Sequence, residues 1–125
     1  MPTSEEHLEL ARHHEDFISY LNPQNTPFLD WAIAASFWAA LNYIDSVLAL
    51  ADLHPKRDRD RYQAIADHPR LADIISDYRE LKYYYENAMG RGKQYKPYDY
   101  ELTMAPHVRK IRGTVIRALS LWDKR

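Results

Sequence analysis

The chain reads as an all-α protein, an antiparallel four-helix bundle with a short extra helix between the second and third helices. Three observations carry that expectation. Apolar residues recur at three- and four-residue spacing in several long segments, which is the period of a helix that buries one face. Only three glycines occur in 125 residues, too few for the tight turns of an all-β fold. No segment alternates polar and apolar residues with the period of a strand. A chain of 125 residues is expected to be a single domain, 1–125, able to bury a core of its own.

The first helix is expected from about Ser4 to Leu21. Ser4 serves as N-cap, and Glu5 and Glu6 occupy the first turn, where the helix dipole favours acids. Leu10, Phe17 and Leu21 form its apolar face, with His14 between them. The segment Asn22 to Pro27 is a loop. The second helix is expected from about Phe28 to Leu53 and is apolar nearly all round: Trp31, Ala34, Phe37, Trp38, Leu41, Ile44 and Leu48 point in every direction. Such a helix belongs in the middle of a bundle. Its polar residues Asn42, Asp45 and Ser46 share one face, either as a hydrogen-bonded buried cluster or as the lining of a polar cleft. They are too polar for an isolated membrane span, and no secretory signal precedes them, so a cytoplasmic location without membrane contact is expected.

His54-Pro55 ends the second helix, and the alternating run Lys56 to Arg61 follows as a loop. A short helical piece, Tyr62 to Asp67, leads to the third helix, expected from Pro69 to Met89 with Leu71, Ile74, Ile75, Tyr78, Leu81, Tyr85 and Met89 inward and Gly90 as C-cap. Gly90 to Tyr100 reads as a loop rich in Tyr, Lys and Gly. The fourth helix is expected from about Thr103, its cap, to Asp123, with Pro106 in the first turn. Val108, Ile111, Val115, Leu119 and Trp122 form its buried stripe, and mid-helix Gly113 is expected where a neighbouring helix approaches closely.

Charge is divided along the chain. Residues 1–53 carry one base, Arg12, against eight acids; residues 54–125 carry sixteen Lys and Arg against ten acids. A basic half with many tyrosines points to an anionic, flat ligand such as RNA or a nucleotide, and an acidic half to a basic partner or to self-association. Two sets of residues carry this reading. His54, Arg57 and Arg61 would form a phosphate clamp, since guanidinium matches phosphate through two parallel hydrogen bonds. Tyr84, Tyr95, Tyr98 and Tyr100, beside Arg91, Lys93 and Lys96, would stack bases; an apolar dimer surface is the equal alternative.

Several chemistries are disfavoured. There is no cysteine, so no disulfide or thiolate site. Neither phosphate-cradling glycine loops nor a Glu-x-x-His pair for a di-metal bundle is present, and no cofactor or metal is expected.

The run Trp38-Ala-Ala-Leu-Asn-Tyr-Ile-Asp-Ser-Val-Leu-Ala, followed by Leu53-His54-Pro55 and Arg61, resembles a HEPN-type domain. The resemblance continues through Asp77 to Leu81 and reaches Arg91 to Tyr95. It implies a four-helix, usually dimeric bundle that acts on RNA or binds nucleotides, in a toxin–antitoxin or other defence setting, with a protein partner encoded nearby. Catalytic members of that family share an arginine and a histidine separated by four to six residues, which cleave RNA across a dimer without metal. At that spacing after Arg79 stand Tyr84 and Tyr85; the literal match is Arg61 with His68. Three readings therefore stand: an RNA- or nucleotide-binding homodimer using His54, Arg57, Arg61, Arg79, Arg91, Lys93, Tyr84 and Tyr95; a metal-independent ribonuclease using Arg61 and His68; and a non-enzymatic interaction module.

Overall fold

The computed structural model describes residues 1–122. Among these, every regular element is helical and no strand occurs. Helix α1 spans Ser4–Leu21, α2 Leu29–Leu50 and α3 Asp58–Asp67. A 3₁₀ turn, Ala72–Ile74, leads into α4, Ile75–Tyr85, which widens into a π-helical turn at Glu86–Gly90. The short α5, Pro97–Asp99, continues through a second π-helical turn, Tyr100–Met104, into α6, Ala105–Trp122. Asp123, the expected last residue of the fourth helix, lies outside the described residues.

Helix α2 is the centre, with α1, α4 and α6 packed around it. Fifteen of its residues are buried, including Ile33, Phe37, Ile44, Val47 and Leu48. Its composition and length would suffice to cross a membrane, but 72% of its apolar stretch is enclosed by the other helices, as for a core helix. Against it pack Ile65, Leu71, Ile74, Tyr78, Leu81, Met104, Ile111 and Val115 in one cluster.

The local chemistry accounts for most boundaries and corrects several. The cap of α1 is Thr3, not Ser4. The Thr3 hydroxyl accepts from Glu6 N–H and the Glu6 carboxylate accepts from Thr3 N–H, a reciprocal box worth about 1 kcal/mol. Its inner face also differs from the expected one: Ala11 is fully buried, with Leu8 and Ile18 partly so, whereas Leu10 is 43% exposed. Ala11 lets α1 lie close on α2, and that contact turns Leu10 outward.

Helix α2 stops at Leu50 rather than Leu53. Asp52 adopts a left-handed backbone with φ 56°, and Leu53 N–H bonds back to Leu48 C=O at 3.0 Å, which closes the last turn. The run expected as a loop, Lys56 to Arg61, is helical from Asp58 on, because Asp58 and Asp60 sit in the first turn of α3, where the dipole favours acids.

Pro69 lies in a turn rather than at a helix start, and Gly90 ends the π-helical turn rather than capping an α-helix. Helical structure resumes at Pro97, so the loop before the last helix is shorter than expected and Thr103 is not a cap: its hydroxyl donates to Asp99 C=O at 2.5 Å inside the helical stretch. The wide turn at Tyr100–Met104 ends two residues before Pro106, which has no N–H to return to the preceding turn. At Gly113 a Cβ would meet nothing within 4 Å, so no helix approaches it.

Candidate functional site

The expected site residues fall into separate places. Arg61 points inward. Its Nε and Nη2 each donate to an Asp45 carboxylate oxygen at 2.9 Å, and Nη2 also donates to Pro55 C=O at 3.0 Å. Arg61 is 8% and Asp45 5% exposed. Burial opposes the guanidinium charge, but the Asp45 carboxylate outweighs it and holds Arg61 above the ordinary guanidinium range. This pair fastens α3 and the Pro55 turn to α2. A phosphate clamp of His54, Arg57 and Arg61 is therefore not assembled. His54 Nε2 lies 3.1 Å from Asp52, and its ring lines a groove of about 840 Å³ beside Leu50 and Leu119, while Arg57 stands exposed at the N-cap of α3.

The Arg61–His68 pair is also not presented as a surface site, since its arginine is internal. His68 caps the C-terminus of α3, and its Nδ1 accepts from Arg70 N–H at 3.1 Å.

The polar face of α2 acts as three separate ties rather than as a cleft. Asp45 holds Arg61. Asn42 Oδ1 lies 3.1 Å from His7 Nδ1 of α1, and its amide donates to Trp38 C=O at 2.9 Å. Ser46 donates to its own helix at Tyr43 C=O.

The charge division along the chain is partly consumed in the same way. Glu15 of the acidic half accepts from Arg112 of α6 at 2.5 Å and from the Tyr43 hydroxyl.

Arg79 lies over the Tyr62 ring at 5.6 Å, beside a shallow cleft of about 200 Å³ shared with Tyr83 and Lys82. Lys82 is already paired with Asp58 and Glu86, both at 3.3 Å.

Four expected residues do converge, and Asn87 is what gathers them. Asn87 is buried on the π-helical turn. Its Oδ1 accepts from Arg91 at 2.7 Å, its amide donates to the Tyr95 hydroxyl at 3.3 Å, and its backbone C=O accepts from Lys93 N–H at 2.9 Å. Lys93 Nζ then lies 5.0 Å from the centre of the Tyr95 ring, within cation–π range. Tyr84 meets Tyr95 edge-on at 5.6 Å.

Gly92, with φ 67°, makes the reversal that brings Lys93 back onto Asn87. Lys93 and Tyr95 line a cleft of about 370 Å³ whose far wall is Thr26, Leu29 and Asp30 at the start of α2. Loop 91–96 contributes three cations, Arg91, Lys93 and Lys96, and no acid. Asp30 is the opposing charge in the cleft; one of its oxygens accepts from Trp31 N–H. Arg91 keeps guanidinium donors beyond the one on Asn87, so the loop can offer an anion both a fork and an ammonium next to a ring face. Asn87 escaped the sequence reading; its four-residue spacing to Arg91 in a helical segment was the available signal.

Of the other tyrosines, Tyr100 departs from the expectation, whereas Tyr85 faces inward and Tyr98 outward as expected. Tyr100 is buried, with its hydroxyl 2.6 Å from Ser36, and burial pushes its phenol up. Tyr85 stacks on Phe37 at 4.8 Å. Tyr98 remains exposed.

A second cluster was not anticipated. Asp77 of α4 is buried with His107 Nδ1 at 2.7 Å from one oxygen and Lys110 Nζ at 3.1 Å from the other. A carboxylate that orients an imidazole is the geometry of acid–base catalysis. Here Lys110 also neutralises the carboxylate, and the trio fastens α4 to α6. Among the described residues, no group of three or more His, Asp or Glu side chains is close enough to hold a metal ion.

Comparison with family models, with curated proteins and with solved structures finds no match to this chain.

Proposed function

We propose that this protein is a HEPN-like RNA- or nucleotide-binding protein whose binding surface is the Arg91–Tyr95 loop. One observation carries the reading: Lys93 sits over the Tyr95 ring, both lining a cleft of about 370 Å³, and Asn87 anchors Arg91 of the same loop. Cations interleaved with ring faces bind single-stranded nucleic acid by phosphate attraction and base stacking. The cleft volume lies within the range of small-ligand sites. Under this reading the helices form an antiparallel four-helix bundle, with α3 as the extra helix between the second and third. The chain acts as a cytoplasmic homodimer, a reading supported by exposed Tyr83, Tyr98 and Leu102. The resemblance to HEPN-type domains adds the toxin–antitoxin or defence setting and a partner encoded nearby.

The binding reading is favoured over the ribonuclease reading because Arg61 is engaged by Asp45 and is 8% exposed. The test is a titration of end-labelled single-stranded RNA in EDTA across a salt series, run on native and denaturing gels. The expected result is a shifted, intact RNA whose affinity falls with salt. Lys93→Gln and Arg91→Gln should each lower the log–log salt slope by about 0.7. RNA that is bound at low salt equally well by both variants would move the site elsewhere, and RNA left unshifted by the wild type would refute binding. Shortened RNA, with the product lost in His68→Ala, would restore the ribonuclease reading.

A further inference from the structure

A second recognition surface lies on the α1–α2 face. Trp31 and Trp38 stand two turns apart on one face of α2, with ring centres 6.5 Å apart and planes inclined by 55°. The His14 ring of α1 closes one side, 5.7 Å from Trp38. His13, Phe17 and Tyr20 of α1 complete a groove of about 490 Å³, and Asp16 supplies a carboxylate at its edge. Trp31 is 44% and Tyr20 85% exposed, a large aromatic area to leave in water. Core packing does not require it, because Ala11, Leu8 and Ile18 already seal α1 onto α2.

The charge around the groove selects the occupant. Helix α1 carries Glu5, Glu6, Glu9, Glu15 and Asp16 against the single base Arg12. Burial holds the His14 imidazole below its usual range, and neighbouring His13, which also lines the groove, adds to this. A phosphate-bearing ligand would be repelled here, whereas a cation is attracted both by the field and by the negative ring faces. One carboxylate and several ring faces offer few hydrogen-bond acceptors. That favours a cation without N–H groups, since buried donors left unpaired are costly.

We infer that the Trp31–Trp38 groove binds a small quaternary ammonium group, with the rings enclosing the alkylated nitrogen and Asp16 at its edge. A groove of this volume suits a small ligand rather than a folded partner.

The test is titration with choline, followed by tryptophan fluorescence and by calorimetry, against the neutral isostere in which carbon replaces the nitrogen. Choline should give a saturable response, at least about tenfold stronger than the isostere. Trp31→Ala, at a 44% exposed position, should abolish the calorimetric signal while leaving the circular dichroism spectrum unchanged. Asp16→Asn should weaken choline roughly threefold and leave RNA binding unchanged. Equal binding of choline and its isostere would overturn the inference, reducing the groove to an apolar slot. No saturable response to choline would also overturn it. So would a wild-type dimer that Trp31→Asp converts to monomer, because a second copy would then cover the face.

Discussion

Replacing Arg61 tests whether this side chain is a structural anchor. In Arg61→Met, the Asp45 carboxylate stays at a 5% exposed position with both of its guanidinium partners gone. Breaking a buried ion pair from one side costs about 3–5 kcal/mol. The Pro55 carbonyl also loses its donor, which accounts for about 1 kcal/mol of that range. With a denaturant slope of about 2 kcal/mol per molar urea, the unfolding midpoint should fall by about 2 M. Removing the carboxylate as well, in Asp45→Leu with Arg61→Met, should recover all but about 1–2 kcal/mol, because no unpaired charge is left inside. The assay is equilibrium urea unfolding followed by circular dichroism, with the two single variants and the double variant closing a cycle. A single-variant loss under about 1 kcal/mol, or a double variant as unstable as the sum of the singles, would refute a buried pair. RNA binding measured where Arg61→Met is folded should be unchanged; a specific loss there would return Arg61 to the ligand site.

Two further outcomes follow from the same structure. Tyr43 and Tyr78 are held above the ordinary phenol range, first by burial and then by donating to Glu15 and Asp58. The folded state therefore keeps protons that the unfolded chain releases near pH ~10, so their contribution is fully present below that pH and declines as pH rises above it. Urea midpoints measured from about pH 8 upward should fall beyond about pH 10, and a flat profile would contradict this. Gly113→Ala should raise the melting temperature by about 2–4 °C, from a gain of roughly 0.5–1 kcal/mol, since the added methyl meets open space in mid-helix. A fall in melting temperature would mean that something packs on that face in solution.

Elements whose signals are local were readable in the chain. The range Ser4–Leu21 follows from acids in the first turn, helical periodicity and a following Asn-Pro loop, all within a few residues of one another. The central place of α2 follows from a wheel apolar in every direction, which only a surrounded helix can satisfy. Errors arose where two local signals competed. In the Lys56–Arg61 run the charges look solvated, yet Asp58 and Asp60 are placed to begin a helix. At Thr103 a cap is the simplest reading, while a π-helical turn holds that residue inside a longer helical stretch; Pro106 does fall in the first turn of α6.

Near-neighbour signals were enough to show that the chain is helical, that α2 is the core helix, and that bases and tyrosines are concentrated late in the chain, because hydrophobic period, capping and composition are local properties. Which of those bases remain available depends on how the helices meet. Arg61 looks from its neighbours like Arg57 or Arg59, but Asp45, sixteen residues away on another helix, draws it inside. Asn87 looks unremarkable, but the reversal at Gly92 folds Lys93 and Tyr95 back onto it. Pairings of this kind depend on distances between residues far apart in the chain. Periodicity says which face of a helix is apolar; it leaves open which side chain on the opposing helix that face will meet.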